Sequence, residues 1–415
     1  MNGQSGKAAL LSLSSIPLIM TLGNSMLIPV LPVIRRELSI TPLQTSLLIT
    51  VYSVMAILLI PLAGYLSDRI GRKKVIVPSL IIAGAGGGLS AAASILMDNP
   101  YGMLLAGRIL QGIGAAGAAP IVMPLVGDLF DSEKEVSSGL GLIETSNTFG
   151  KVLSPILGSL IAWISWYAPF VSIPVFCAVS IVLVAVFVKA PNKKEQPVPF
   201  RRFVSELRRL FRKEGRWLYV LFAVGGTAMF ILFSFLVWFS DKLEDFYKIK
   251  GIWKGFTLAV PLAALCTASF LTGKIIGESK KRMKLLATCG FMLAAASMTA
   301  NVIADGLVMR LALLSVAGIG IGTALPCLDA LITEGIDKNE RGTVTSLYNS
   351  LRFAGVAAGP PVASLLSGKG NGVMFWTLAG AGLLSGLLTW LFIKPNEEGE
   401  KSGSRIVPKG RKVLQ

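Results

Sequence analysis

Charged side chains lie inside long apolar stretches of this 415-residue chain, among them Arg108, Glu144, Lys151 and Arg352. A charge at membrane depth is costly unless it is paired or meets water, so such residues mark substrate or proton pathways. Glu144 and Lys151 are nearly two helical turns apart and share one helix face, about 10 Å apart along the axis. We predict that Glu144 takes up and releases a coupling proton. The alternative is a fixed counter-ion for Lys151 or for a neighbouring helix.

The balance of charge at membrane depth limits the kind of substrate. We place one acid there, Glu144, against three cations, because Asp128 and Glu334 fall at the ends of predicted spans. This balance disfavours a site for lipophilic cations and suits anionic, zwitterionic or neutral amphiphiles. An aromatic residue, Phe233, is added as a cavity residue, with contact to lipid or other helices as its alternative. The residues predicted to line the substrate cavity are Asn24, Arg108, Glu144, Lys151, Phe233 and Arg352.

The elements that carry these residues are long apolar segments. The chain is 53% hydrophobic and 15% charged, whereas a soluble domain carries roughly 25% charged residues. One membrane crossing takes about 20 apolar residues, and on that basis we predict an all-α polytopic membrane protein with twelve transmembrane helices. The predicted spans cover residues 8–34, 43–66, 75–97, 101–127, 137–164, 168–189, 217–240, 253–276, 284–304, 307–332, 342–366 and 372–393.

Small-residue patterns repeat across the chain at a nearly constant offset. Gly112 and Gly150 of spans 4 and 5 correspond to Gly318 and Gly355 of spans 10 and 11. The repeat implies two pseudo-symmetric six-helix bundles with a substrate site between them near the midplane. The predicted divisions are an N-terminal bundle at 1–189, a basic amphipathic cytoplasmic linker at 190–216, a C-terminal bundle at 217–394 and a cytoplasmic tail at 395–415.

Basic residues give the chain a net charge of +17 and an orientation. Most of the 40 Lys and Arg fall on the side predicted to hold both termini, which is the positive-inside bias of a multi-pass protein of the cell membrane. The linker mixes apolar and basic residues at helical spacing, which suits a helix lying on anionic lipids; the alternative is binding of a regulatory protein. A basic patch interleaved with aromatics is missing, so we expect no nucleic-acid partner.

The loop between spans 2 and 3, residues 64–74, reads GYLSDRIGRKK. It resembles the loop 2–3 signature of the Major Facilitator Superfamily, G-x-L-[SA]-D-R-x-G-R-[KR]. The resemblance implies that Asp68 caps the start of helix 11 and that Asp128 joins Arg72 in an ionic network. This network is expected to lock the halves together on the cytoplasmic side in the outward-open state. The alternative is an ordinary positively charged loop. This cytoplasmic latch is assigned to Gly64, Asp68, Arg69, Gly71, Arg72 and Asp128.

Span 4 is similar to a family pattern in which an arginine is followed by small residues, here Arg108, Gly112 and Gly114. Because a buried arginine must be paired or face water, we expect Arg108 to face the central cavity. The resemblance implies a part for it in proton coupling. The alternative is a structural arginine that donates to backbone carbonyls.

Span 5 resembles the pattern G-(x8)-G-(x3)-G-P-(x2)-G-G of the twelve-span drug/proton antiporters, with serine in place of two glycines. The pattern is associated with export. The alternative is that it serves helix packing alone and does not indicate the direction of transport. Its small residues are expected to let helix 5 pack against its counterpart in the other half. The motif residues here are Gly141, Gly150, Ser154, Pro155 and Gly158.

Together these features predict a secondary transporter that exports drug-like or amphipathic small molecules, antibiotics included, by alternating access and proton coupling. Histidine is absent, so coupling must use carboxylates. The alternatives are a carrier or flippase for lipid-like or anionic metabolites and a non-transporting receptor or scaffold. An ATP-binding loop is missing, and neither an enzyme activity nor a cofactor nor a metal site is expected. The expected partners are a small-molecule substrate, protons and anionic membrane lipids, with the chain acting as a monomer.

Overall fold

The computed structural model describes residues 3–130, 132–189, 215–277, 279–336, 338–368 and 370–393. These residues form twelve long α-helices and no β-strand, which confirms the predicted all-α fold. The first helix, α1 (Gly3–Ser25), continues through a 3-10 turn at Ile28–Val30 into a short helix at Leu31–Glu37. The others are α2 (Pro42–Ile70), α3 (Arg72–Leu96), α4 (Tyr101–Leu129), α5 (Glu133–Ala162), α6 (Ala168–Phe187), α7 (Arg216–Asp245), α8 (Gly251–Ile275), α9 (Lys280–Ile303), α10 (Leu307–Gly335), α11 (Lys338–Ser367) and α12 (Asn371–Phe392).

Two predicted segments lie outside the described residues. They are the basic linker helix, of which only residues 215 and 216 are described, and the tail at 395–415. Their predicted roles at the membrane surface therefore stay predictions.

Helix polarity separates two of the twelve helices from the rest. Ten of the described helices are long and apolar enough to cross a membrane. The exceptions, α5 and α11, are 30 residues long but carry charges within their length. A helix that must span a membrane yet carries charge needs a polar neighbour or water on one face. These two helices are therefore the ones expected at the boundary between the halves.

Packing between helices repeats in the two halves, which form two six-helix bundles. In the first half α1 packs on α5, α2 on α4, α3 on α4, and α3 on α6; in the second half α7 packs on α11, α8 on α10, α9 on α10, and α9 on α12. Each pair has its counterpart six helices later, as the sequence repeat predicts. The halves meet where α2 packs on α11 and α5 packs on α8. Substrate has to pass along this boundary if the bundles rock against each other.

The termini of α2 have the chemistry that a helix boundary requires. Thr41 precedes Pro42 and accepts a hydrogen bond from the Gln44 backbone N–H at 3.2 Å, while the Gln44 side chain accepts one from the Thr41 N–H. This capping box satisfies two N–H groups that the helix leaves unpaired. The helix ends at Gly71, whose φ of +104° is a backbone conformation that favours glycine. The second glycine of the signature is thus a helix terminator.

The loops between the helices fall at two ends of the molecule. Arg72 begins α3 at one of them, which we call the Arg72 end. Lys254 lies in the first turn of α8 at the opposite end, which we call the Lys254 end. The α1–α2 and α7–α8 connections both lie at the Lys254 end.

Gly150 and Gly158 of the α5 motif pack on the first half, which corrects the prediction that the small residues of the motif pack on the counterpart of helix 5 in the other half. A methyl group added to Gly158 would overlap the carbonyl of Met26 in the segment after α1. The contact of α5 with the other half is made instead by the Pro155 carbonyl and Ser159, which lie against Gly255 of α8. The reason is geometric, since α1 and α8 flank α5 on opposite faces while α11 packs on α2 and α7.

Candidate functional site

A cluster of four charges lies where the halves meet. Glu144 and Lys151 project from α5 of the first half, and Asp329 and Arg352 project from α10 and α11 of the second. Arg352 Nη1 lies 3.5 Å from Asp329 Oδ1. All four groups interact electrostatically with one another. Each half contributes one acid and one base, so the inter-half cluster is neutral when all four are charged.

Asp329 is the member that the sequence interpretation missed. It lies inside the predicted tenth span, and an acid within an apolar run is the signal that could have found it. Its side chain is 39% exposed, so water reaches it. The prediction that cations outnumber acids at the site is therefore wrong, and so is the substrate argument drawn from that imbalance.

A cavity next to this cluster lies between the two halves. Lys151 is its one charged lining residue, and Ser25 adds a hydroxyl. Phe233 lines it as well, as predicted. The walls come from α1, α5, α7 and α8, so both bundles contribute. The remaining lining residues are Ile28, Pro155, Leu232, Leu236, Leu258 and Leu262.

Glu144 has polar neighbours on its own helix. Its Oε1 lies 3.5 Å from both the Asn147 Nδ2 and the Thr148 Oγ1, which is the long limit of a hydrogen bond. The Asn147 Oδ1 accepts a shorter bond, 2.7 Å, from Thr21 of α1. The Glu144 carboxylate is therefore only weakly held by these neighbours.

Arg108 lies within the first half and away from the cavity. It is fully buried, and its guanidinium donates to the carbonyls of Leu48 at 2.7 Å and Gly23 at 3.0 Å. It also donates to Asn24 Oδ1 at 2.6 Å and to Gln111. This geometry fits the alternative of a structural arginine that donates to backbone carbonyls. The prediction that Arg108 and Asn24 line the cavity is therefore wrong. Four acceptors from three helices compensate the loss of water around the charge.

The Arg72 network consists of Arg72, Asp68 and Asp128. Arg72 pairs with Asp68 at 2.9 Å and with Asp128, so it joins the ends of α2 and α4 to the start of α3. The predicted grouping of these three residues is therefore observed, and its action as a latch stays a proposal. Arg69 is exposed. A methyl group on Gly64 would lie 3.6 Å from the Ser346 hydroxyl of α11, so α2 approaches the other half there.

The Lys254 network consists of Arg35, Arg36, Asp241, Glu244, Asp245 and Lys254. At its centre Lys254 Nζ lies 2.7 Å from Glu244 Oε2, and Arg36 pairs with the other oxygen of Glu244. Lys254 Nζ also donates to the Pro29 carbonyl at 2.6 Å. The short helix after α1 is thus tied to α7 and α8. The sequence interpretation missed this network because its members lie in different halves.

Comparison with known proteins identifies the family. A model described as Major Facilitator Superfamily matches residues 13–360 and 312–414. The chain belongs to the Major Facilitator Superfamily. It is therefore a multi-pass membrane transporter of a small molecule and not an enzyme.

Curated members of the superfamily include similar exporters and resistance proteins. The "Bacillibactin exporter" of Bacillus subtilis (strain 168) is 51% identical over 398 residues, covering 95% of this chain and 99% of that protein. The "Tetracycline resistance protein, class G" of Vibrio anguillarum is 26% identical and covers 85% of this chain and 89% of its own length. The "Multidrug efflux protein YfmO" of Bacillus subtilis (strain 168) is 25% identical, covering 92% of each.

Solved structures of the superfamily share the fold. The human organic anion transporter MFSD10 (TETRAN) superposes with a TM-score of 0.73 at 19% identity, covering 92% of this chain and 99% of that one. A D-xylose-proton symporter superposes with a TM-score of 0.76 at 14% identity, covering 93% and 98%. At these identities the likeness concerns the arrangement of the helices alone.

Proposed function

We propose that this transporter exports bacillibactin, or a small molecule closely related to it, from the cytoplasm across the cell membrane. The observation that carries the proposal is the 51% identity to the bacillibactin exporter over 95% of the chain. The cavity beside Lys151 is the proposed binding place, since both halves line it and it combines apolar walls with one charge and one hydroxyl.

We further propose that export is coupled to inward proton movement through Glu144. The inter-half cluster supports this proposal, because Glu144 and Lys151 face Asp329 and Arg352 across the boundary. When the halves separate on one side, each acid keeps the base of its own half and loses that of the other half. The free energy of protonating these carboxylates then differs between the two conformations, and coupling requires such a difference.

The orientation that we propose places the Arg72 end and both termini in the cytoplasm. The cations of the 64–74 loop support it. The Lys254 end then faces outward. In this orientation the described conformation has its halves tied together on the outer side.

A second candidate function is efflux of drugs such as tetracycline. The relatives that favour it include the class G tetracycline resistance protein and the multidrug efflux protein, at 25–26% identity over most of the chain. Their lower identity makes this the second choice.

Transport by proteoliposomes tests these proposals together. Purified protein is reconstituted, a pH gradient is imposed, and bacillibactin and tetracycline taken up in the export direction are measured by mass spectrometry, with and without a proton ionophore. We expect ionophore-sensitive transport of bacillibactin. Transport of tetracycline alone would favour the second candidate, and transport that the ionophore leaves unchanged would contradict proton coupling.

The variant Glu144→Gln tests the coupling residue. It keeps the shape of the side chain and removes its proton exchange, so gradient-driven transport should be lost. Glu135→Gln is the matched control, because Glu135 is an exposed acid on the same helix. Unchanged pH-driven transport by Glu144→Gln would remove Glu144 from the coupling role.

A further inference from the structure

The centre of the Lys254 network is a buried ion pair of the second half that two groups of the first half contact. The side chains of Lys254 and Glu244 are each only 2% exposed. Arg36 and the Pro29 carbonyl, which contact this pair, belong to the first half, whereas Lys254 and Glu244 belong to the second. The contacts of Arg36 and of the Pro29 carbonyl with this pair thus exist only while the halves are together at this end, whereas the Lys254–Glu244 pair itself lies within the second half.

We propose that Lys254 is a positioning residue of the transport cycle. Its hydrogen bond to the Pro29 carbonyl, beside the Arg36–Glu244 pair, holds the Lys254 end closed and must break for that end to open. The proposal goes beyond the choice of substrate and of coupling ion. It uses the proposed orientation only to say which side of the membrane is closed.

An ionic contact suits a closure that has to be reversible. A buried ion pair contributes little net stability compared with apolar groups of the same shape, but loss of one partner leaves an uncompensated buried charge. When the end opens, water hydrates both partners, so the open state is also tolerated. Apolar side chains in place of the pair would be stable only in the closed state, because opening would expose them to water. The chemistry of this contact therefore affects the balance between the two states.

The rest of the network is secondary to this centre. Arg35 pairs with Asp245 at 2.6 Å and with Asp241 at 3.8 Å, but the Asp245 side chain is 49% exposed. Exposed pairs contribute little because water competes for both partners. Ser240 adds a neutral bond to the Ile28 carbonyl at 2.8 Å. Lys254 and Glu244 are therefore the residues whose removal should matter most.

Labelling of a cysteine below the network tests the proposal. Ser25 lines the cavity next to Ile28 and is the probe position, so Ser25→Cys is introduced after Cys266→Ser and Cys289→Ser remove the more accessible native thiols. A membrane-impermeant maleimide is added to right-side-out and to inside-out vesicles. We expect Lys254→Met to raise the labelling rate from the outside by about tenfold or more.

Three further variants separate positioning from loss of folding. Lys254→Arg keeps the charge and should restore slow labelling. The double variant Glu244→Leu with Lys254→Met replaces the pair by apolar groups, so labelling from the outside should fall to the wild-type rate or below it while transport slows. Lys250→Met removes an exposed lysine just before α8 and should change nothing.

The outcomes distinguish this proposal from the proposed function. Unchanged labelling of Lys254→Met from both sides, or equally fast labelling of the double variant, would overturn the role of Lys254. Faster labelling only in inside-out vesicles would keep that role and refute the proposed orientation. Failure of bacillibactin transport would refute the proposed substrate and leave the labelling result intact.

Discussion

The two ends of the molecule carry ionic networks of similar composition and different placement. At the Arg72 end Arg72 bridges Asp68 and Asp128, all of the first half, with side chains 20%, 57% and 28% exposed. At the Lys254 end the central pair is almost fully buried and contacts the other half. A network within one bundle stabilises the shape of that bundle in every conformation. The contacts of Arg36 and of the Pro29 carbonyl with the central pair cross the boundary, so they exist only while that end is closed and can set which side is closed.

The contrast also gives the proposed latch a place in the cycle. The described conformation is held together across the halves at the Lys254 end. The Arg72 network lies at the opposite end, where α2 packs on α11, and its proposed action as a latch would take place there. The two networks are expected to alternate, and the following predictions test that expectation from the largest effect to the smallest.

The largest effect is expected from Glu244→Gln. It removes the carboxylate that Lys254 and Arg36 share, and breaking a buried pair costs about 3–5 kcal/mol. The thermal unfolding midpoint of the purified protein should fall, and labelling of Ser25→Cys from the Lys254 end should rise. Asp245→Asn, at the exposed edge of the same network, is the control. If the two variants had equal effects, the buried centre of the Lys254 network would contribute no more than its exposed edge.

At the Arg72 end we expect Asp68→Asn to slow transport with little loss of stability. The pair is partly exposed, so unfolding should change by less than about 1 kcal/mol. If the network acts as a latch, transport should slow about tenfold, which corresponds to ~1.4 kcal/mol on the barrier, while substrate binding persists. Transport and equilibrium binding are measured side by side. Lost binding would count against a latch, and Lys74→Gln, at an exposed neighbour outside the latch set, should leave both unchanged.

A smaller effect is expected from Arg35→Gln, which removes the edge pairs of the Lys254 network. A pair with an exposed partner, such as Arg35–Asp245, is worth about 0–1 kcal/mol and is screened by salt, and the half-buried Arg35–Asp241 contact is long at 3.8 Å. The Ser25→Cys labelling rate should therefore rise only slightly, and the difference from wild type should shrink at high ionic strength. A large difference that salt leaves unchanged would place Arg35 in the centre of the closure.

The smallest effect is expected from Lys73→Met. Lys73 Nζ donates to the carbonyls of Val188 at 2.6 Å and Ala185 at 3.1 Å, at the end of α6. A cation at a helix C-terminus contributes about 0.3–1 kcal/mol, so the unfolding midpoint should fall slightly while transport persists. Lys74→Met, at an exposed neighbour, is the control. A transport defect as large as that of Asp68→Asn would make Lys73 part of the latch.

Much of the fold could be predicted from the sequence because hydropathy is a local property. Each apolar run is long enough to cross a membrane, and Gly71 marks a helix end through its own backbone conformation. The site was only partly predictable. Glu144 and Lys151 share a face because helical spacing requires it, whereas Asp329 was overlooked although it lies in a predicted span. Arg108 was expected at the cavity because a buried arginine charge is costly unless it is paired or meets water. The groups that accept its hydrogen bonds could not be read from the sequence.

The sequence by itself determined the number of helices, their repeat in two halves and the charged residues that must avoid lipid. Only the tertiary structure decided which of those charges meet. Arg36 and Glu244 are 208 residues apart along the chain, and Arg35 and Asp245 are 210 apart. No local periodicity specifies such a pair, because its partners are brought together by the packing of two whole bundles. For the same reason the tertiary structure alone separated Arg108, satisfied inside one bundle, from Lys151 at the boundary between two.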